Sequence, residues 1–308
     1  MEGLEIRKIS KTYDGKKYVL KDVSLDFMQK GILAIIGRNG AGKTTLIRIL
    51  ATELTPTKGS AYVGGIDVVN DPTHARELMA IVPQEARTIP WMNPKQQILS
   101  YLLYRGFSYK EASSRALSSI KKLNLGQYAD KLSRTLSGGT KRKVMVATVL
   151  ASEARIIFLD EPTTGLDPIS RRELWTLLVK LKKDYLIVLT THYLEEAEYL
   201  ADKIAIIDNG RLIISGSIDE LRKKAGHEYS IRIDDSKELK MPKGVNISKI
   251  EKGYQILTSQ KQAFAISEKL MAQKIKFSTN PVSLEDLFYY FAKRSINDEE
   301  EKEEGEWQ

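Results

Sequence analysis

Two short stretches hold residue types at spacings that could do chemistry: GRNGAGKTT at residues 37–45, and the acidic pair Asp160 and Glu161. Gly37, Gly42, Lys43 and Thr44 satisfy the pattern G-x-x-x-x-G-K-[ST]. Glycines let the backbone curl until successive N–H groups point inward at an anion. A helix beginning at that point adds the positive end of its dipole. Lys43 would reach the terminal phosphates of a nucleotide, and the Thr44 hydroxyl would ligate Mg²⁺. Asp160 would hold the same ion through its water shell. Glu161, immediately after, would accept a proton from an attacking water.

Taken singly, each stretch has a bland explanation. A glycine-rich turn need hold no ligand, and an apolar run ending in Asp-Glu is common. The flanking elements decide between them. Ile32, Leu33, Ala34, Ile35 and Ile36 are apolar throughout, as in a buried parallel strand. Leu46, Ile47, Ile49 and Leu50 follow on one side of a helix. Strand, glycine loop and helix form the context in which the pattern has physical meaning. RIIFL at 155–159 is a second buried strand, which carries the acids at its C-terminal end, where open α/β sheets place ligands. YLIVL at 185–189 and KIAII at 203–207 continue the series, with helices between. Strands alternating with helices predict an α/β core with a mainly parallel sheet.

Around that core, residues 3–9 and 17–27 alternate with period two, which predicts strands with one wet face. Residues 60–63 and 66–68 predict a hairpin around Gly64 and Gly65, and 79–83 a short strand. From 93 to about 152 helical spacing dominates: Ile98, Leu99, Leu102 and Leu103, then Ala112, Ala116, Leu117, Ile120 and Leu123. Beyond Gly226, short strands are expected at 227–235, 246–250, 253–257 and 274–278, with helices at 262–273 and 284–293.

The 308-residue chain is 42% hydrophobic and 29% charged, ordinary for a globular protein with room for a second small domain. No apolar run approaches the ~18 residues a membrane span needs. With no cysteine, disulfides and thiolate chemistry are excluded, and a cytoplasmic location is the expectation. The net charge of +8 is uneven: residues 298–308 carry −6, which leaves +14 on residues 1–297. A basic body can attract nucleic acid or an anionic membrane. No zinc-finger spacing or RNA-binding aromatic motif accompanies it, so nucleic acid is not expected.

Between the glycine loop and the acidic pair lies Leu136-Ser137-Gly138-Gly139-Thr140. Ser137 and the glycines sit where the helix expected at 141–152 begins, so free N–H groups and a hydroxyl face outward. With this segment the chain resembles the ATP-binding subunit of an ABC transporter. The glycine loop is similar to Walker A, IIFLDE at 156–161 to Walker B, and LSGGT to the family signature LSGGQ. The final glutamine of that signature is Thr140 here. Every family motif is present in order across roughly residues 3–222.

The resemblance implies a P-loop NTPase core with a mainly parallel sheet, an antiparallel β subdomain and a helical subdomain at about 90–152. Together they make an ATPase domain over 1–225. It leaves a small C-terminal α+β domain at 226–295 and an acidic, disordered tail at 296–308. It implies ATP and Mg²⁺ as cofactors, with nucleotide contacts from Tyr13, Gly37, Asn39, Gly40, Gly42, Lys43, Thr44, Thr45, Ser137, Gly138, Gly139 and Asp167. Tyr13 would stack on adenine, with Tyr18 the competing choice. Metal contacts would come from Thr44, Gln84 and Asp160, and catalysis from Glu161, His192 and Gln84. Gln84 matches the loop that senses Mg²⁺ and γ-phosphate, His192 the switch histidine, and Asp167 a loop that contacts across a dimer. Two subunits would sandwich ATP head to tail, Ser137 and Gly139 of one touching the γ-phosphate held by the other. The pair would be a homodimer, or else a heterodimer.

A separate membrane permease would be the second partner, and the chain would sit peripherally on the inner face of the cell membrane. Segments 194–198 and 283–288 are similar to the stand-alone ATPases of drug, antibiotic or lipid exporters, so export is the expected direction. The alternative is a non-transport ABC ATPase acting on ribosomes or nucleic acid. Those usually hold two cassettes or a long coiled-coil insertion, and this chain has one cassette and no sustained heptads.

Overall fold

The computed structural model describes residues 3–233, 247–250 and 253–292. It forms two compact units, Met1–Leu212 and Ile213–Gln308.

In the first unit, β1 (Leu4–Thr12) pairs antiparallel with β2 (Tyr18–Phe27) and with β4 (Lys58–Val63), and β4 turns through Gly64 and Gly65 into β5 (Ile66–Asp67). This is the expected wet-faced sheet: Leu4, Ile6, Leu25 and Phe27 point inward while their neighbours face out. The second sheet carries β3 (Gly31–Ile36), β6 (Met79–Val82), β7 (Ile156–Asp160), β8 (Leu186–Thr191), β9 (Lys203–Asp208) and β10 (Arg211–Gly216), in the order β10-β9-β3-β8-β7-β6. Strands β9, β3, β8, β7 and β6 run parallel. All residues of β3, β7 and β8 are buried, as uninterrupted apolar runs require. One apolar core joins the two sheets around α1 (Lys43–Leu50).

The parallel core is what positions the chemistry. The C-terminal ends of β3, β8, β7 and β6 lie side by side, so four loops distant in sequence converge. Helix α2 (Pro72–Leu78) leads into β6. The helical segment holds α3 (Pro94–Tyr104), α4 (Tyr109–Lys122) and α5 (Gly138–Ala151), which pack on one another. Helices α3 and α4 each start in a capping box, Asn93 with Gln96 and Ser108 with Glu111. Helix α5 starts three residues earlier than the sequence suggested, because the Ser137 hydroxyl caps it and takes both glycines into its first turn. Helices α6 (Pro168–Leu181) and α7 (Leu194–Leu200) complete the unit.

The second unit begins at Ile213, earlier than the boundary expected at 225. The division falls within β10, and α8 (Ile218–Ala225) goes with the later residues, its Arg222 donating to the Val282 carbonyl at 2.8 Å. Its sheet holds β11 (Tyr229–Ile233), β12 (Ile247–Ile250), β13 (Gly253–Thr258) and β14 (Phe277–Pro281) in the order β12-β13-β11-β14. Ile231, Ile233 and Ile256 pack against Ala263, Ile266 and Leu270 of α9 (Gln260–Ala272). The strand expected at 274–278 starts three residues later. Lys274 turns through φ 55°, and the Ile275 amide closes back on Leu270, which ends α9 before the strand can begin. As an edge strand, β14 tolerates Pro281. Residues 284–292 are helical. The expected tail at 296–308 lies outside the described residues.

Candidate active site

Lys43 opens α1, directly after Gly42 at φ 101°. A Cβ at Gly42 would crowd the Val19 carbonyl at 2.8 Å, so a side chain is excluded by both conformation and space. The Lys43 ammonium is 5% exposed and donates to the carbonyls of Gly37 at 2.9 Å and Arg38 at 3.1 Å. Burial lowers its pKa, opposed by the nearby carboxylates of Glu161 and Asp160. Thr44 follows, its Oγ1 3.4 Å from Asp160 Oδ1. The Thr190 hydroxyl also bonds that Asp160 oxygen.

Glu161 stands at the centre. It is a non-glycine residue at φ 46°, the left-handed region that costs a branched or bulky residue free energy and is found at functional sites. Its conformation is fixed on both sides. The Glu161 amide donates to Thr190 Oγ1 at 3.0 Å, and the Glu161 carbonyl accepts from Arg142 Nη2 at 3.1 Å. Glu161 is only 7% exposed, and side chains from three loops close on its carboxylate. Gln84 Nε2 reaches Oε2 at 3.2 Å and Thr164 Oγ1 reaches it at 3.0 Å. His192 Nδ1 lies 3.2 Å from the same oxygen, and Lys43 Nζ is 4.0 Å from Oε1.

Lys43, Gln84, Glu161, Thr164 and His192 line a cleft of about 440 Å³, together with Val19, Asn39, Gly40, Gly42, Thr44 and Thr45. Its inventory is backbone amides in a glycine loop, one buried cation, the Thr44 hydroxyl with the buried Asp160 carboxylate behind it, and a carboxylate beside an imidazole. That set can cradle a polyphosphate and hold a water for in-line attack. Thr44 and Asp160 fit Mg²⁺, which in phosphate sites takes one or two protein oxygens and fills its shell with water and phosphate. Among the described residues no cluster of three His, Cys, Asp or Glu side chains could cage a metal unaided.

The remaining sequence candidates lie elsewhere. Tyr13 is 61% exposed, its hydroxyl 3.4 Å from Thr45 Oγ1 and its ring 5.4 Å from Lys11 Nζ. Asp167 caps α6, accepting from the Ile169 and Ser170 amides at 3.0 Å, and its bonds with Ser170 hold the carboxyl below the usual range. Ser137, Gly138 and Gly139 do not line the cleft. Gly139 is buried where α5 crosses α6, and a Cβ there would fall inside the Ser170 side chain.

Sequence reasoning missed Thr164, Thr190 and Arg142. The two threonines had a weak signal, since each is a polar residue at or just beyond the end of a core strand. Arg142 had none: nothing local marks a basic residue of α5 as the donor to a carbonyl 19 residues away.

The family model described as ABC transporter matches residues 20–164. DrrA, the doxorubicin resistance ATP-binding protein of Mycobacterium tuberculosis, is 36% identical over 226 residues, 73% of this chain and 68% of DrrA. The chain belongs to the family of ABC transporter ATP-binding proteins. The cassette is also 36% identical to ABC transporter A family member 2 of Dictyostelium discoideum over 229 residues, but spans 14% of that longer protein. An ATP-binding cassette solved as a dimer in a post-hydrolysis state with ADP and Pi matches at TM-score 0.62 and 27% identity, covering 70% of this chain and 98% of that one. The cassette is accordingly an ATP-binding, ATP-hydrolysing domain, with the α/β fold of its family.

Proposed function

We propose that the cassette powers export of a substrate through a separate membrane permease, working as a head-to-tail pair that sandwiches two ATP molecules. The observation that carries this reading is the division of the candidate residues. Lys43, Thr44, Gln84, Glu161 and His192 share one cleft, whereas Ser137–Gly139 stand at the start of α5, outside it. A second copy, turned head to tail, would bring its Ser137 onto the γ-phosphate.

On binding ATP, Lys43 would exchange the carbonyls of Gly37 and Arg38 for the β- and γ-phosphates. Asn39, Gly40, Gly42 and Thr45 would complete the amide cradle, and Tyr13 would stack on adenine. Thr44 and Asp160, with Gln84 beside them, would hold Mg²⁺, which neutralises phosphate charge. Glu161 would take a proton from the attacking water, and His192 would contact the γ-phosphate. Asp167 would meet the partner across the dimer. Positioned charge supplies most of the acceleration in phosphoryl transfer. Loss of the γ-phosphate removes the contact favouring the closed pair, which then reopens.

No helix among the described residues is long and apolar enough to cross a membrane, and in this proposal the permease carries the translocation path. Trp91 at 73% exposure and Tyr104 at 92%, close after Gln84, are candidates for its docking face. The cassette would then sit peripherally on the inner face of the membrane. DrrA's name ties that relative to doxorubicin resistance, with which export of a substrate accords, and the dimeric cassette supports pairing. Whether the pair is homo- or heteromeric follows from the same experiment: capture of the tagged chain from detergent-solubilised native membranes, with mass spectrometry of its companions. A multi-span protein in stoichiometric amount is expected. Ribosomal or DNA-repair proteins in its place would keep the ATPase chemistry and overturn the transport role.

A further inference from the structure

The one departure from the family signature is Thr140, and its geometry gives it a role. Ser137 is the N-cap of α5, and its Oγ accepts the Thr140 amide at 3.2 Å. The Thr140 hydroxyl lies 2.9 Å from the same Ser137 Oγ, with either oxygen able to donate. A glutamine at this helix position would close a capping box, its side chain reaching back to the N-cap backbone amide. Threonine is too short to do that. Its hydroxyl is instead engaged with the serine hydroxyl.

Two proton arrangements exist for this pair. If Ser137 donates to Thr140, the serine proton is turned inward. If Thr140 donates, Ser137 Oγ accepts two bonds, from the amide and the hydroxyl of Thr140, and its own proton is left to point outward. An anion above the start of α5 selects the second arrangement. It also polarises the chain Thr140 O–H to Ser137 O–H to anion, in which each bond strengthens the next. We infer that Thr140 is a positioning residue that orients the Ser137 hydroxyl as an outward donor toward the γ-phosphate of the ATP held by the opposing cassette. This rests on the sandwich reading above, and adds that Thr140 sets the direction of the serine proton.

The test is a double-mutant cycle on ATP-dependent dimer affinity, read by sedimentation in the full chain carrying Glu161→Gln so that turnover does not disperse the pair. Thr140→Val keeps the shape and removes the hydroxyl. It is expected to weaken the dimer about five- to 150-fold, the range of two neutral hydrogen bonds, one lost at each of the two sites. Thr140→Ser is expected to restore it. Ser137→Ala should weaken the dimer at least as much, and Thr140→Val should add nothing in that background. A role of the Thr140 side chain that does not pass through the Ser137 hydroxyl would leave the Thr140→Val effect intact without Ser137, so additive losses would overturn the inference. An unchanged dimer in Thr140→Val beside a weakened one in Ser137→Ala would also overturn it. If Ser137→Ala itself has no effect, or the Glu161→Gln chain does not pair with ATP, the sandwich reading fails and the inference fails with it.

Discussion

Replacing Glu161 with glutamine is expected to lower ATP turnover by about 10²–10⁴-fold, the usual contribution of a positioned general base. ATP binding should survive. Glutamine has nearly the same shape, and its side-chain oxygen can still accept from Thr164, which now donates to Oε2 at 3.0 Å. The φ of 46° is held by Thr190 and Arg142 through the backbone of residue 161, and that too is independent of the side-chain charge. What is lost is the ability to take a proton. Equilibrium binding of a fluorescent ATP analogue and steady-state phosphate release, measured on one preparation, separate the two effects. Hydrolysis unchanged in Glu161→Gln would remove this residue from the role of base.

Lys43→Ala is expected to act on affinity first. Loss of a charge-assisted contact to phosphate corresponds to about 1.5–3 kcal/mol, or roughly ten- to 150-fold in Kd. A second consequence follows from burial. Asp160 is 3% exposed and Glu161 7%, with Lys43 Nζ 4.0 Å from Glu161 Oε1, so the variant leaves two buried carboxylates without their neighbouring cation. As a result the folded state should lose stability. Thermal unfolding should therefore show a lower midpoint than wild type in the absence of nucleotide, and smaller protection on adding ATP. Wild-type affinity on a binding isotherm would refute the cradle.

The residues readable from the sequence were those whose partners are local or sit at the end of a contiguous apolar strand. Lys43 and Thr44 follow from a glycine loop between β3 and α1, and Asp160 with Glu161 from the end of β7. The α/β alternation also fixed the parallel core, since uninterrupted apolar runs have no wet face. Contacts that depend on strand order were not readable. Arg142 reaches the Glu161 carbonyl from another helix, and Gln84 meets its carboxylate only because β6 lies beside β7. The tie between α8 and Val282, sixty residues on, is of the same kind. Thr164 is local, three residues on from Glu161, but its contact depends on how the intervening turn folds, which no residue pattern marks.

Composite sites make a direct demand on mixing. Chains carrying Lys43→Ala lack the phosphate cation in both sites of their pair, and chains carrying Ser137→Ala lack the capping hydroxyl in both. In a mixed pair one site has both defects and the other has neither. With random pairing, half the dimers are mixed, so phosphate release should recover to about a quarter of wild type if the sites act independently. Turnover no greater than the sum of the two variants measured separately would contradict a site shared between two chains.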